Sequence, residues 1–365
     1  MPLKTVTGER AQPVKGRGAG LNPEGRFETL RREGFDDGWQ PEAPDPAAPP
    51  RTLVTEEQAK SIITRNDSPD VPFTYSINPY RGCEHGCPYC YARPSHAYLD
   101  LSPGLDFETR LFAKVNAAAK LREELARPGH KVEPIAIGVN TDCYQPIERE
   151  YGITRQVLEV LAESRHPCTI VTKNALVTRD LDLLASMARD NLVQVFVTVT
   201  TLDAELARRL EPRASAPHRR LDAIRRLSSA GVPVGAMVAP VIPFLTDAGV
   251  ESVLEAVAQA GAESAAYVLM RLPWELKELF RGWLETHYPL KAAHVMSRVH
   301  EMRGGRDNDP RFGSRMRGEG LLADLLGKRF AIACARLGLD RQRRRPLDCS
   351  LFRAPRVGPQ LDLFA

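Results

Sequence analysis

The chain has 365 residues, 43% of them hydrophobic and 26% charged, enough to bury a full core in one large domain or two. Its net charge of +4 favours no partner class. No apolar run is long enough to span a bilayer, and the opening MPLKTVTGERAQPVKG lacks the apolar centre of a secretory signal, so membrane and secreted disulfide-framework classes are set aside and a cytoplasmic protein with reduced thiols is expected.

Residues 1–60 open with VKGRGAGLNPEGR and PEAPDPAAPP, rich in Pro, Gly and charge, without a sustained apolar period. That composition predicts a disordered arm. The Arg and Gly residues of KGRGAG offer phosphate contacts, although a plain flexible tail is the simpler and preferred reading.

Residues 61–290 change character. Short, β-branched apolar runs recur as FTYSIN, PIAIGV, CTIVT, VQVFVTV, PVGAMVAPVI and AAYVLM, the pattern of strands buried on both faces. Helical stretches separate them: FETRLFAKVNAAAKLREELA, ITRQVLEVLAES, RDLDLLASMARD, HRRLDAIRRLSSAG, DAGVESVLEAVAQAG and WELKELFRGWLETH. In the fourth, Leu221, Ile224 and Leu227 keep helical spacing and Gly231 stops the helix. Six strands alternating with six helices predict a parallel α/β sheet or an open barrel, one quarter short of the eight-unit form. Residues 291–356 lose the strand signal and predict a basic helical extension, with fourteen Lys/Arg against six Asp/Glu between Arg303 and Arg356. Residues 357–365 close the chain as a short linear segment.

Three of the seven cysteines, Cys83, Cys87 and Cys90, fall in CEHGCPYC, directly after the first strand. That is the strand end at which parallel α/β barrels build active sites. Three thiolates on a tight glycine-bearing loop suit an iron–sulfur cubane, which has four irons and would keep one open for a substrate. A zinc site of Cys83, Cys87, Cys90 and His85, or three inert buried thiols, are the alternatives. Cys168 and Cys334 read as core residues, and Cys349 carries no signal.

CEHGCPYC resembles the C-x3-C-x2-C signature of radical S-adenosylmethionine (SAM) enzymes, including the aromatic Tyr89 before the third cysteine. The resemblance implies a partial (βα)6 TIM-type barrel, a [4Fe–4S] cluster whose open iron chelates SAM, and a 5′-deoxyadenosyl radical that abstracts hydrogen from substrate. It also implies an electron donor such as a flavodoxin or ferredoxin. Within the superfamily the chain is most similar to the spore photoproduct lyase branch, from Asn78 to Met270, through NPYRGCEHGCPYCYARP, NTDCYQPIE, TIVTK, VTVTTLDAELARRLEPRAS and MVAPVIP. That likeness implies that Thr141, Lys173, Thr198 and Ala239 hold SAM, with Tyr89 able to cover the adenine. The lyases carry a hydrogen-donating cysteine three residues before the shared Asp, where this chain has Val139. Cys143, directly after Asp142, is expected on the same rim and is a candidate donor; an ordinary loop cysteine is the alternative.

The chain ends QLDLFA. Its QLDLF resembles the pentapeptide with which bacterial repair proteins dock onto the sliding clamp, which would give Gln360, Leu361, Leu363 and Phe364 a partner-binding role. The alternative is a tail folded back on its own surface. GGRDNDPRFGSRMRGEG and RQRRR suit phosphate contacts without sequence readout, or a solvated surface. The combined expectation is a radical SAM enzyme acting on DNA in repair or modification. Its alternatives are a radical enzyme acting on a protein, RNA or small molecule, and a metal-bearing nucleic-acid-binding protein without catalysis.

Overall fold

The computed structural model describes residues 14–27, 50–339 and 346–356. Six parallel strands lie in sequence order: β1 (Tyr75–Ile77), β2 (Ile135–Ile137), β3 (Cys168–Thr172), β4 (Val193–Thr198), β5 (Val234–Val241) and β6 (Ser264–Leu269). All six apolar runs therefore became strands. Ile77, Ile137, Ile170, Val195, Val197 and Ala236 are fully buried in one continuous core, as both-face burial of a parallel sheet demands. Among the described residues β1 and β6 do not pair, and the free edge of β1 is instead taken by Ile63–Arg65, running antiparallel. The result is an open, partial barrel with a seam between its first and last strands.

Helices pack outside the sheet: α1 (Ala117–Leu125), α2 (Ile153–Glu163), α3 (Leu181–Arg189), α4 (Pro217–Ser229) and α5 (Val250–Gln259). Each turns a stripe of Leu, Val or Ile inward; in α4 the stripe is Ala223, Ile224 and Leu227. After β6 come α6 (Leu276–His287), α7 (Pro289–Glu301) and α8 (Leu321–Leu337). Phe280, Trp283 and Leu284 of α6 share a second core with Val295, Met296 and Val299 of α7. The expected boundary at residue 290 thus falls inside a helix that is part of the folded body.

Two expectations are corrected. The stretch 107–126 is not one helix: it divides into a helical turn Asp106–Thr109, a strand Arg110–Lys114, and α1. The strand pairs with Leu53–Glu57 on one side and Tyr80–Arg81 on the other, burying Leu111 and Ala113. A five-residue run cannot announce partners so far away, and pairing overrides its helical propensity. Second, residues 14–27 and 50–60, assigned to a disordered arm, are ordered against the barrel, for reasons that belong to the site.

The last described segment, 346–356, lies across the bottom of the barrel. The Arg353 N–H donates to the Ser164 carbonyl (2.9 Å) and the Asn191 amide donates to the Pro346 carbonyl (2.6 Å), both just ahead of strand starts. Phe352 packs its ring 5.3 Å from those of His130 and His166.

Candidate active site

From β1 the chain passes Tyr80–Arg81 and enters the loop of Cys83, Cys87 and Cys90, at the C-terminal mouth of the barrel. Cys83 and Cys87 are buried and Cys90 is half-buried; all three are free thiols. Gln145, from the segment after β2, spans the first of them. Its amide donates to the Gly82 carbonyl (3.1 Å) and its oxygen accepts from the Glu84 N–H (2.9 Å). Arg93, fully buried, donates to the Cys87 carbonyl (2.7 Å) and pairs with the buried Glu108.

Glu108 also explains the ordered part of the arm. Its carboxylate accepts from the Gly18 N–H (3.0 Å) and the Ala19 N–H (2.8 Å). Arg17 turns inward, donating to the carbonyls of Glu108 (2.8 Å) and Pro50 (2.7 Å), so it is not a free phosphate contact. Gly18 sits directly on Gly86: a Cβ there would lie 1.6 Å from the Gly86 oxygen, so only glycine lets this strap reach the cysteine loop.

The donor set fits an iron–sulfur cluster. Burial pushes the Cys83 thiol well above its ordinary pKa, and burial together with Glu211 pushes Cys87 up to about 12. Such thiols ionise on binding metal and release their protons. Among the described residues no three His, Cys, Asp or Glu side chains converge on a single metal ion. A cubane asks for no such convergence, since each thiolate takes a different iron. His85, the fourth ligand in the zinc alternative, is turned to other partners: its Nδ1 lies 3.4 Å from Asp142 and its Nε2 3.4 Å from the Asn174 amide.

Beside the loop, two buried carboxylates organise the strand ends. Asp142 accepts from the Thr172 hydroxyl (2.7 Å) and from the Lys173 N–H (2.7 Å). Burial acts to raise its pKa, but His85 and these hydrogen bonds outweigh that and hold it below the ordinary range. Glu211 accepts from the Tyr89 hydroxyl, from Thr200 (2.7 Å) and from the buried Arg220. Burial again opposes ionisation, yet Arg220, Lys173 and Tyr89 hold this carboxyl down to about 2. The Lys173 ammonium reaches Glu211 at 4.0 Å and lies 5.9 Å from the Tyr89 ring.

Of the expected cofactor-binding residues, Lys173 and Tyr89 are thus joined through Glu211. Thr141 is buried with its hydroxyl donating to the Tyr80 carbonyl (2.7 Å), so it props the loop's entry. Thr198 ends β4, where its carbonyl accepts from Arg220 (3.1 Å). Ala239 lies on β5, its carbonyl 3.4 Å from the Thr200 hydroxyl. Cys143 lies just beyond the end of β2, and its side chain turns inward. Its thiol is fully buried in the main core under Gly138, where an added Cβ would come within 2.8 Å of the sulfur. The position expected to lack a donor, Val139, has its carbonyl covered by the Tyr91 hydroxyl. Cys168 is buried and Cys334 partly buried against the core, as expected. Gln360, Leu361, Leu363 and Phe364 lie outside the described residues, as does RQRRR.

Gln145, Arg93, Glu108, Glu211 and Arg220 were not singled out from sequence. Gln145 and Glu211 sit inside NTDCYQPIE and LEPRAS, and the one available signal was a polar residue beside an apolar strand end.

An open parallel barrel with three free thiols, two of them buried, looped over its mouth defines a cluster-binding enzyme of the partial (βα)6 class. Residues 77–257 match the Radical SAM superfamily, and the chain belongs to it. Members of that superfamily use a [4Fe–4S] cluster and SAM. An uncharacterised protein of Mycobacterium tuberculosis is 41% identical over 234 residues, covering 64% of this chain and 68% of that one. An uncharacterised protein of Methanocaldococcus jannaschii is 28% identical over 218 residues, covering 59% and 76%. Among solved structures, spore photoproduct lyase complexed with dinucleoside spore photoproduct matches with a TM-score of 0.56 at 17% identity, over 78% of this chain and 79% of that one. That likeness is one of fold. No helix among the described residues is long and apolar enough to cross a membrane.

Proposed function

We propose that this radical SAM enzyme acts on DNA, repairing or modifying a nucleotide in the cytoplasm, and that its tail docks it on the sliding clamp. Cys83, Cys87 and Cys90 would hold the cluster, leaving one iron for SAM. Bound there, cluster and SAM supply one-electron cleavage and a hydrogen-abstracting radical. Lys173 would offer its ammonium to the SAM carboxylate, exchanging its 4.0 Å contact with Glu211 for a closer one. Thr141, Thr198 and Ala239 would shape the same wall, and Tyr89, locked by Glu211, would present a fixed ring face. The buried loop and strap keep water from the reacting centre. An electron donor such as a flavodoxin or ferredoxin would reduce the cluster. Cys143, sealed in the core, is assigned no hydrogen transfer.

The observation that carries the DNA reading is the cationic segment from Arg303 to Arg317, laid between the two sides of the barrel seam. Arg303 donates to the carbonyls of Leu269 (3.1 Å) and Met270 (2.7 Å) at the end of β6. Arg315 pairs with Asp70 in the loop that leads into β1. Several arginines of the extension are already neutralised: Arg311 by Asp309 and Glu319, Arg329 by Glu251, Arg336 by Glu255. The phosphate-facing charge is therefore smaller than the composition suggested. Clamp docking is supported by the letters of QLDLF and by the segment 346–356, which lies across the barrel's bottom, away from the mouth.

The test is anaerobic. Reconstituted protein should contain about four irons and four sulfides per chain, cleave SAM under reductant, and move deuterium from labelled DNA into 5′-deoxyadenosine. Absence of transfer from every DNA tried, alongside SAM cleavage, would exclude the DNA substrate. Clamp pull-down unaffected by deleting residues 360–364 would exclude the docking role.

A further inference from the structure

Three guanidinium groups gather at the seam, and among the described residues one of them is bonded by neither a carboxylate nor a carbonyl. Arg303 is buried and spends its donors on backbone carbonyls: Leu269 and Met270 on one side, Ser314 (3.1 Å) and Arg315 (2.8 Å) on the other. Arg315 is taken by Asp70 and Ser68, and Asp70 is further held by the Gly313 N–H (2.7 Å). Arg271, two residues beyond β6, is half-buried, and among the described residues no carboxylate or carbonyl bonds it. Its guanidinium lies 5.1 Å from the centre of the Tyr91 ring. Tyr91 directly follows Cys90, is 48% exposed, and is fixed by its hydroxyl on the Val139 carbonyl. Arg271, just past the last strand, and Tyr91, on the cysteine loop that follows the first, therefore face each other at the mouth end of the seam.

A partly desolvated guanidinium beside two others is unfavourable unless an anion completes it. Burial and the neighbouring Arg271 hold even Arg303 down to about 10. An arginine fork pre-set against an aromatic face is the arrangement that takes a phosphate on the fork and a base or sugar on the ring. Phe312, 61% exposed with Arg315 stacked 4.6 Å from it, extends the same alternation of ring and cation.

We infer that the seam is a nucleotide-phosphate site, with Arg271 gripping a backbone phosphate and Tyr91 bearing the adjoining ring. This rests on the DNA reading above and adds where the strand enters. Arg271 then acts as a binding residue, set apart from the SAM wall of Lys173 and Thr198.

The probe is a fluorescein-labelled single-stranded DNA 12-mer, titrated into the full-length holoenzyme at several salt concentrations. Arg271→Gln should weaken binding about tenfold and lower the slope of log K against log salt by about one. Arg271→Lys should keep the slope but lose part of the affinity, because a point charge replaces the fork. If Arg271→Gln does not fold, judged by thermal unfolding, Arg271→Lys decides: unchanged affinity would overturn the site. Wild-type binding that Arg271→Gln leaves intact in slope and affinity would overturn this inference alone. A wild-type chain that binds no oligonucleotide would overturn the DNA reading and this site together.

Discussion

The Lys173 ammonium stands 4.0 Å from the Glu211 carboxylate, which already accepts from Tyr89, Thr200 and Arg220. The cation expected to meet the cofactor is thus held at a distance by an acid whose stronger bonds go elsewhere. Lys173 can turn to an incoming carboxylate without leaving Glu211 unpaired. On the proposed role, the residue that would touch SAM is then distinct from the residues that aim it.

Lys173→Ala should weaken SAM binding roughly tenfold to a hundredfold, the worth of one charge-assisted hydrogen bond, with iron content unchanged. Equilibrium dialysis against anaerobic protein measures the first and iron analysis the second. SAM affinity equal to wild type would remove Lys173 from the cofactor wall.

Glu211→Gln leaves the buried Arg220 without its counter-charge and should cost about 3 kcal/mol or more of stability. The loss depends on pH. Glu211 is held at about 2, whereas an unfolded Glu titrates near about 4.3. Its contribution is whole above that value and fades as acid takes the pH down toward 2. Urea unfolding should accordingly show a large gap between wild type and variant at pH 7 and a smaller one at pH 3. A gap that does not narrow would contradict the assigned ionisation.

Gln145→Ala removes both bonds that brace the backbone around Cys83. The unpaired Gly82 carbonyl and Glu84 N–H should cost about 1–3 kcal/mol. The cluster should then be lost to an iron chelator several times faster than from wild type, followed by the visible absorbance. Equal rates would show that the loop is rigid without Gln145.

Cys143→Ala tests the burial of that thiol. A buried sulfur replaced by a methyl-sized group should lower stability by about 1–2 kcal/mol. The products of SAM turnover should be identical to those of wild type. An altered product distribution at full folding would place Cys143 in the chemistry after all.

Much of this enzyme could be read locally. Strand runs such as CTIVT announce themselves through β-branched residues, and α4 through its 3.6-residue period, because burial on a face imposes a repeat on neighbouring positions. The spacing of Cys83, Cys87 and Cys90 is likewise contained in eight consecutive residues, and Lys173 is found by standing at a strand's end. What was missed depends on long-range partners: Gln145 on Gly82, 63 residues away, Gly18 on Glu108 across 90, and Glu211 on Tyr89 across 122. No period or spacing encodes those pairings, since a hydrogen bond between distant residues is chosen only when packed strands bring the two ends together. The same reason hid the strand Arg110–Lys114 and put Cys143 inside. The chain's order of residues named the elements and the thiols; packing of the strands and loops into one fold alone decided which polar groups would face them.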